Sequence, residues 1–403
     1  MKAGWKTKSL KDACQFSSGL WKGEKPPFLN VGVIRNTNFT KEGTLDDSDI
    51  AYLDVEAKKL EKRRLQFGDI ILEKSGGGPK QPVGRVALFD KEDGDFSFSN
   101  FTAALRVLDP HELDFSFLHK FLHWSYLSGV TEGMQSHSTG IRNLDGDAYK
   151  AIRINFPLLP EQHRIVGILN KAFEGIATAK ANAENNLKNA HALFESHIDS
   201  VFTQRGEGWP IRKLGELSDQ ITDGTHNSPA YVESGIPMLD SKHVQDDFSI
   251  DDSEPEKFIS PTTDALLAKR CKPRAGDILI SSRGSIGKIA IVRDGQDFNI
   301  MGNMILIRLP AGVSRAFAAF YLRSQVIHIE SIARGVAQKG LYLNQIRDYE
   351  LPLPAETKQA QIGTQLDALG TETQRLESIY KQKLAALEEL KKSLLHQAFT
   401  GEL

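Results

Sequence analysis

Two cysteines in 403 residues, Cys14 and Cys271, cannot supply a disulfide framework. Both read as structural or incidental residues of a chain kept in a reducing compartment. Long apolar runs are missing as well. No stretch approaches 18 apolar residues, and Met1-Lys2-Ala3-Gly4-Trp5-Lys6 opens without the apolar segment of a secretory signal. Membrane spanning and secretion are therefore not expected, and a cytoplasmic location is. Neither charge is in excess: 50 Lys and Arg face 52 Asp and Glu, for a net charge of −2. The balance holds by region, with 22 cations against 21 carboxylates in residues 1–155 and 17 against 18 in residues 208–353. That excludes a generically basic coat for nucleic acid, so DNA binding would need local patches or positive charge from a partner.

Catalytic motifs are missing too. An adenine or cytosine methyltransferase needs a glycine-rich cofactor turn and an Asn/Asp-Pro-Pro-aromatic stretch. Asn155-Phe156-Pro157 is the nearest approach and lacks the second proline. Gly284-Ser285-Ile286-Gly287-Lys288 imitates a phosphate loop, but the spacing is wrong and no Ser or Thr follows the lysine. His119 and His123 share a helix face without the intervening Glu of a zinc protease, and read as a solvated or half-buried pair. Gly76-Gly77-Gly78 reads as a flexible turn. No triad or metal cluster emerges, which points to a non-catalytic chain.

What the chain does have is written twice. Leu159-Pro160-Glu161-Gln162 opens a stretch in which Ile165, Leu169, Ala172, Ile176, Ala179, Ala183, Leu187, Ala190 and Phe194 step by threes and fours. About 195 residues later Leu353-Pro354 opens a second copy, carried by Ile362, Leu366, Leu369, Thr373, Leu376, Tyr380, Lys383, Leu387, Leu390 and Leu394. Such spacing, kept over several heptads, predicts a coiled-coil seam. Helices over 160–204 and 355–399 should pack antiparallel, burying Leu169, Leu187, Leu366 and Leu387. Proline at the start and glycine at the end are the expected boundary residues. About 44 residues at 1.5 Å each make a rod of roughly 66 Å.

The stretches outside these helices read as mixed α/β and share one plan. In the first, strands are expected at 28–34, 65–72, 84–89 and 102–108, then a helix at 113–127, a polar loop at 133–140 and a last strand near 152–156. In the second, Trp209 answers Trp5, Gly276-Asp277 answers Gly68-Asp69, and Gly287-Lys288 answers Gly84-Arg85. A helix over 317–329 and a loop over 333–340 follow. Two diverged copies of one unit are expected. The fold class is α+β: two similar α/β domains, 1–156 and 208–352, separated and joined by antiparallel coiled-coil helices in 157–207 and 353–403, with an internal pseudo-two-fold repeat.

Polar loops fall at matching places. Lys74 and Ser75 with Lys80 and Arg85 face Ser282 and Arg283 with Lys288. His137, Arg142 and Asn143 face Lys339, Tyr342 and Asn344, and the second half adds Thr225 and His226. Arg and Lys can grip guanine O6 and N7, and Asn and Gln can grip adenine N6 and N7, so these residues are the candidate DNA contacts. Ordinary surface loops have the same composition, and the pattern alone does not choose.

The recurring stretches together resemble the specificity (S) subunits of type I restriction–modification systems. The resemblance rests on Trp209 with Lys213-Leu214-Gly215-Glu216-Leu217, Asp223-Gly224-Thr225-His226 with Gly235-Ile236-Pro237, and Gly276-Asp277-Ile278-Leu279. Pro157-Leu158-Leu159-Pro160-Glu161-Gln162 and the closing Phe399-Thr400-Gly401-Glu402-Leu403 complete it. It covers nearly the whole chain. It implies two target-recognition domains, each reading half of a bipartite site in double-stranded DNA. The helices would be a spacer and a docking surface for two methylation (M) subunits, with restriction (R) subunits joining through that core. S-adenosylmethionine, ATP and Mg would serve the partners, leaving this chain without a cofactor. The M subunits would supply phosphate contacts and this chain base contacts. Two departures stand out. The first half lacks an Asp-Gly-Thr-His stretch, and the second helix opens Glu356-Thr357 where the first has Glu161-Gln162. Two other classes remain: a modification enzyme with its own methyltransferase activity, which would bind S-adenosylmethionine alone, and a coiled-coil scaffold for protein partners, which would not retain DNA selectively.

Overall fold

The computed structural model describes residues 4–20, 23–78, 81–138, 141–204, 208–335 and 339–403, without the side chains of His137 and Ser138. The chain forms two compact units, Met1–Asn182 with Lys383–Leu403, and Ala183–Gln382. In the first, an antiparallel sheet takes the order Cys14–Ser18, Thr102–Val107, Ile70–Glu73, Val86–Leu88. The second repeats it with Gln220–Asp223, Met304–Arg308, Ile278–Ser281 and Ile289–Ile291. The central strands read as unbroken apolar runs because both faces are covered: Ile70, Ile71, Ile278, Leu279 and Ile280 are wholly buried.

One ion pair pins each sheet. The Asp277 carboxylate, buried, accepts from Arg308 Nε at 2.8 Å and Nη2 at 2.5 Å, and from the Arg274 amide at 2.8 Å. Asp69 does the same with Arg106 at 2.7 and 2.6 Å and with the Gln66 amide at 2.8 Å. This is why each Gly-Asp pair launches a strand. Asp277→Ala leaves the guanidinium without its partner and should cost about 2–3 kcal/mol, short of a fully buried pair because Arg308 keeps some water. Urea unfolding checks it, and Asp277→Asn, which keeps one acceptor, should lose less.

Residues 133–140 are not all loop: Gln135–Ser138 is a strand paired with Ile141–Leu144, which in turn pairs with Ser75–Gly77. Its residues are polar and cover no core, so no apolar alternation announces it. The helix over 317–329 is two helices, Arg315–Ser324 and Val326–Ile332, because Gln325 leaves helical geometry at φ −101° and ψ 8°. The β-branched Val326 and Ile327 follow at once, and such side chains crowd a preceding turn.

The long helices are Leu159–Thr203 and Glu356–Thr400, 45 residues each. A constant step of 197 relates them, carrying Gln162 to Gln359, Leu169 to Leu366 and Phe202 to Phe399. Gln162 is buried, its Oε1 accepting from the Asp114 amide at 2.8 Å and its Nε2 donating to the Glu112 and Pro157 carbonyls, both at 2.8 Å. Gln359 accepts from the Ser314 amide at 3.0 Å and donates to the Pro354 carbonyl at 2.7 Å. The counterpart of Gln162 is therefore Gln359, and the apparent mismatch at Thr357 was one of register.

Both units contain parts of both helices, antiparallel in each. In the first, Arg164 Nη2 donates to the Leu403 carbonyl at 3.0 Å and Lys180 pairs with Glu388 at 2.8 Å. In the second, His191 stands 3.6 Å from Glu377 and the Phe194 ring faces Gly370. Leu169 and Leu366 are fully buried as expected. Leu187 and Leu387 are only half-buried, and Leu390 is 47% exposed. A seam between two helices covers a side chain from one side, and full burial comes only where a globule closes the other.

His119 and His123 are neither solvated nor half-buried. Both lie inside the first unit with their rings stacked 6.2 Å apart. Cys14 and Cys271 are buried free thiols, pushed up to about 12 by burial. Among the described residues, no helix is long and apolar enough to cross a membrane and no side-chain group is placed to hold a metal ion.

Candidate nucleic-acid interface

In the second unit three separate stretches meet at one end of the four-stranded sheet. After Asp223 the chain passes so close to the carbonyls of Ile300 and Met301 that a Cβ on Gly224 would stand 2.1 and 2.4 Å from their oxygens. Only glycine fits. Thr225 forms a backbone bridge with Met301, and its hydroxyl donates to the Asn227 carbonyl at 3.0 Å. His226 lies over Gly302 with Nε2 2.6 Å from Asp223 Oδ2, and the other Asp223 oxygen holds Arg270. Both oxygens of the Asp223 carboxylate are therefore engaged.

The strand Ile278–Ser281 ends at the same place. The Ser281 hydroxyl accepts from the Lys288 amide at 2.8 Å and donates to the Ser285 carbonyl, which fixes the turn between them. Ser282 is buried in the wall: its amide donates to the Asn303 carbonyl at 2.8 Å and its carbonyl accepts from the Leu341 amide at 2.9 Å. That last bond draws in the third stretch. Arg283, Tyr342 and Asn344 then line, with His226, a depression of about 330 Å³. Arg283 is exposed, rests against Gly340, and makes no ion pair among the described residues. Lys288 is not in this depression, since its Nζ pairs with Asp246 at 3.0 Å. Lys339 is exposed.

The first unit builds its equivalent end differently. Lys74 is held through its backbone, its amide donating to the Phe101 carbonyl at 3.0 Å and its carbonyl accepting from Leu144 at 2.8 Å. The strand Ile141–Leu144 brings Asn143 onto Ser75, their side-chain oxygens 2.5 Å apart, and sets Arg142 opposite Gly77. Arg142 Nη1 donates to Gln135 Oε1 at 3.4 Å, and His137 stands opposite it in the strand register. The side chain of His137, and Lys80 altogether, lie outside the described residues.

Arg85 is occupied. Its Nε and Nη2 donate to the two oxygens of buried Glu73 at 2.7 and 3.0 Å, and Nη2 also reaches the Asn36 carbonyl at 3.0 Å. Asn36 Nδ2 completes the cluster on Glu73 at 3.0 Å. Arg85 thus organises the loop from within, with its donors spent. The counterpart of Glu73 in the second sheet is Ser281, which offers no carboxylate, and Lys288 turns outward to pair with Asp246.

Sequence reasoning missed two residues and one equivalence. Phe101 and Asn303 occupy matching places just before Thr102 and Met304, and their carbonyls receive the amides that end the neighbouring strand. Nothing local marks them, because the role is a backbone one. The first half also has a counterpart of Gly224: a Cβ on Gly19 would stand 2.0 Å from the Ser99 carbonyl oxygen. The tight crossing is common to both units, and only the Asp-Thr-His portion is special to the second.

The family described as Type I restriction modification DNA specificity domain matches residues 2–189 and again 206–388. The chain belongs to that family. Among relatives of the specificity family, the type I restriction enzyme EcoBI specificity subunit of Escherichia coli is 31% identical over 304 residues, 69% of this chain. The match spans 64% of that subunit's own length. The EcoKI specificity subunit of Escherichia coli K12 is 24% identical over 92% of this chain and 82% of its own. Two solved structures share the fold. One, concerning complex assembly and conformational transition of the type I R-M system, gives a TM-score of 0.81 at 20% identity, covering 100% of this chain and 99% of the other. The HsdS subunit from Thermoanaerobacter tengcongensis gives 0.65 at 18% identity, covering 100% and 98%.

Proposed function

We propose that this member of the specificity family gives a type I restriction–modification complex its DNA sequence choice, each unit reading one half of a bipartite duplex site. The observation that carries this is the convergence, in each unit, of polar loops on the same end of the same sheet, beside the family match over both halves. The chain itself is non-catalytic. Methyl transfer and cleavage, with S-adenosylmethionine, ATP and Mg, belong to two methylation subunits and to restriction subunits. The two long helices set the spacer and carry the methylation-subunit docking surface, and the complex works in the cytoplasm.

Arg283 is the sharpest test. Small residues flank it and its guanidinium makes no ion pair among the described residues, so it can present two donors to a guanine edge. Arg283→Ala should cost about 1–3 kcal/mol on the cognate duplex alone. A phosphate contact would instead weaken all duplexes alike and lower the salt slope by about one. Titration of the assembled methyltransferase on cognate and scrambled duplexes at two salt concentrations separates these. If neither affinity nor slope moves, Arg283 is away from the DNA.

A further inference from the structure

At the loop end of its sheet the first unit shows one side chain that polar loops do not account for. Phe101 offers its carbonyl to the amides of Lys74 at 3.0 Å and Ser75 at 3.2 Å, yet its ring is 45% exposed. The fold asks only for that carbonyl. In the second unit the same role falls to Asn303, whose carbonyl accepts from the Ser282 amide. The two side chains differ because their neighbours do. Asn303 Nδ2 donates to the Ser241 hydroxyl at 3.0 Å. Ser241 opens the short 3-10 helix Ser241–His243, and its counterpart in the first unit is Asn36, which opens Asn36–Asn38. Asn36 Nδ2 is turned to buried Glu73 at 3.0 Å, and the Phe101 ring stays at the surface.

A single exposed ring is ordinary on a protein surface, and the setting is what distinguishes this one. Gly76, at φ 96°, lies between the ring and the Asn36 amide. A Cβ there would stand 3.6 Å from Phe101 Cδ1 and 3.2 Å from Asn36 Nδ2. An apolar wall and a donor wall thus flank a floor of bare backbone. Asn36 Nδ2 carries two hydrogens, and Glu73 takes one of them. Thymine is the base that shows an acceptor, O4, beside a methyl group in the major groove.

We infer that Phe101 reads a thymine methyl in the half-site of the first unit, with Asn36 donating to O4 of the same base. This rests on the DNA reading above and adds to it one base that the half-site contains. Deoxyuridine lacks the methyl group and keeps the base pair, so it isolates the contact. In a duplex selected from a random pool by the assembled methyltransferase, each thymine is replaced singly by deoxyuridine and binding is titrated. For the wild-type complex one replacement should weaken binding about fourfold, the worth of one buried methyl group. Phe101→Ala should weaken binding to the thymine duplex by a similar factor and be indifferent to that replacement. Its binding to a scrambled duplex should match that of the wild type. The wild-type titration needs no variant, so it decides the matter even where a variant misfolds. Indifference of the wild type to every replacement, sensitivity that survives in Phe101→Ala, or an equal loss on the scrambled duplex each overturns the inference while the reading of sequence stands. A wild-type complex that selects no sequence from the pool sinks both.

Discussion

Phe399→Ala is expected to destabilise the first unit by about 3–5 kcal/mol, the cost of emptying a large aromatic site in a packed core. Phe399 belongs to the last turn of the C-terminal helix, yet its ring meets Phe117 at 5.3 Å, Phe121 at 5.5 Å and Trp124 at 5.6 Å. Those three lie on the helix Phe115–Leu127, more than 270 positions earlier in the chain. The first unit is therefore completed by residues that arrive last in sequence. Its counterpart, Phe202, meets Phe317 at 5.5 Å and Tyr321 at 5.3 Å in the second unit. Hydrogen exchange resolves the units: Phe399→Ala should speed exchange in Ile70–Glu73 and Thr102–Val107, and Phe202→Ala in Ile278–Ser281 and Met304–Arg308. Leu390→Ala, on an exposed position of the same helix, should change stability by less than about 0.5 kcal/mol. A loss below 1 kcal/mol for Phe399→Ala, or exchange speeding in the wrong unit, would contradict this packing.

The second large effect is on acid stability. Burial pushes both His119 and His123 down to about 3, with a further contribution from each other or from Lys120 and Lys391. Neither Nε2 has a hydrogen-bond partner among the described residues. In the unfolded chain these imidazoles take a proton below about pH 6.5. The folded unit cannot take it until about pH 3. The unfolded state thus binds more protons across that window, so stability is full above pH 6.5 and declines as pH falls towards 3. Each histidine contributes up to about 1.4 kcal/mol per pH unit within it. Urea unfolding at pH 7, 6, 5 and 4, read by the fluorescence of Trp124, should show the decline. The double variant His119→Leu, His123→Leu should flatten it, carboxylates accounting for the remainder. Equal slopes in the two proteins would mean the pair is solvated when folded.

The unequal treatment of Arg85 and Lys288 shows where loop reading from sequence fails. Both are cations that follow a glycine in matching turns after a Gly-Asp strand, and by composition they are equivalent candidates. The difference is the last residue of the strand. Glu73 is buried beneath the first turn and draws Arg85 inward, whereas Ser281 in the second satisfies only backbone groups. A single carboxylate, its cost of burial offset by a bidentate guanidinium, decides whether a cation belongs to the fold or to the surface.

The sequence by itself determined the long helices and the repeat. Steps of three and four over several heptads leave a helix only one way to hide its apolar side, whereas the register between the copies, a step of 197 that matches Gln359 to Gln162, was fixed by the hydrogen bonds of the two glutamines. The short apolar strands after Gly68-Asp69 and Gly276-Asp277 were legible for the same reason, since burial on both faces removes every polar interruption. Only the tertiary structure decided which loops share a place. The polar strand Gln135–Ser138 has no buried face to pattern it, and the depression around Arg283 exists because the Ser282 carbonyl binds the Leu341 amide, 59 residues away. Backbone hydrogen bonds carry no side-chain signature, so the sites they assemble become visible only when the chain is folded.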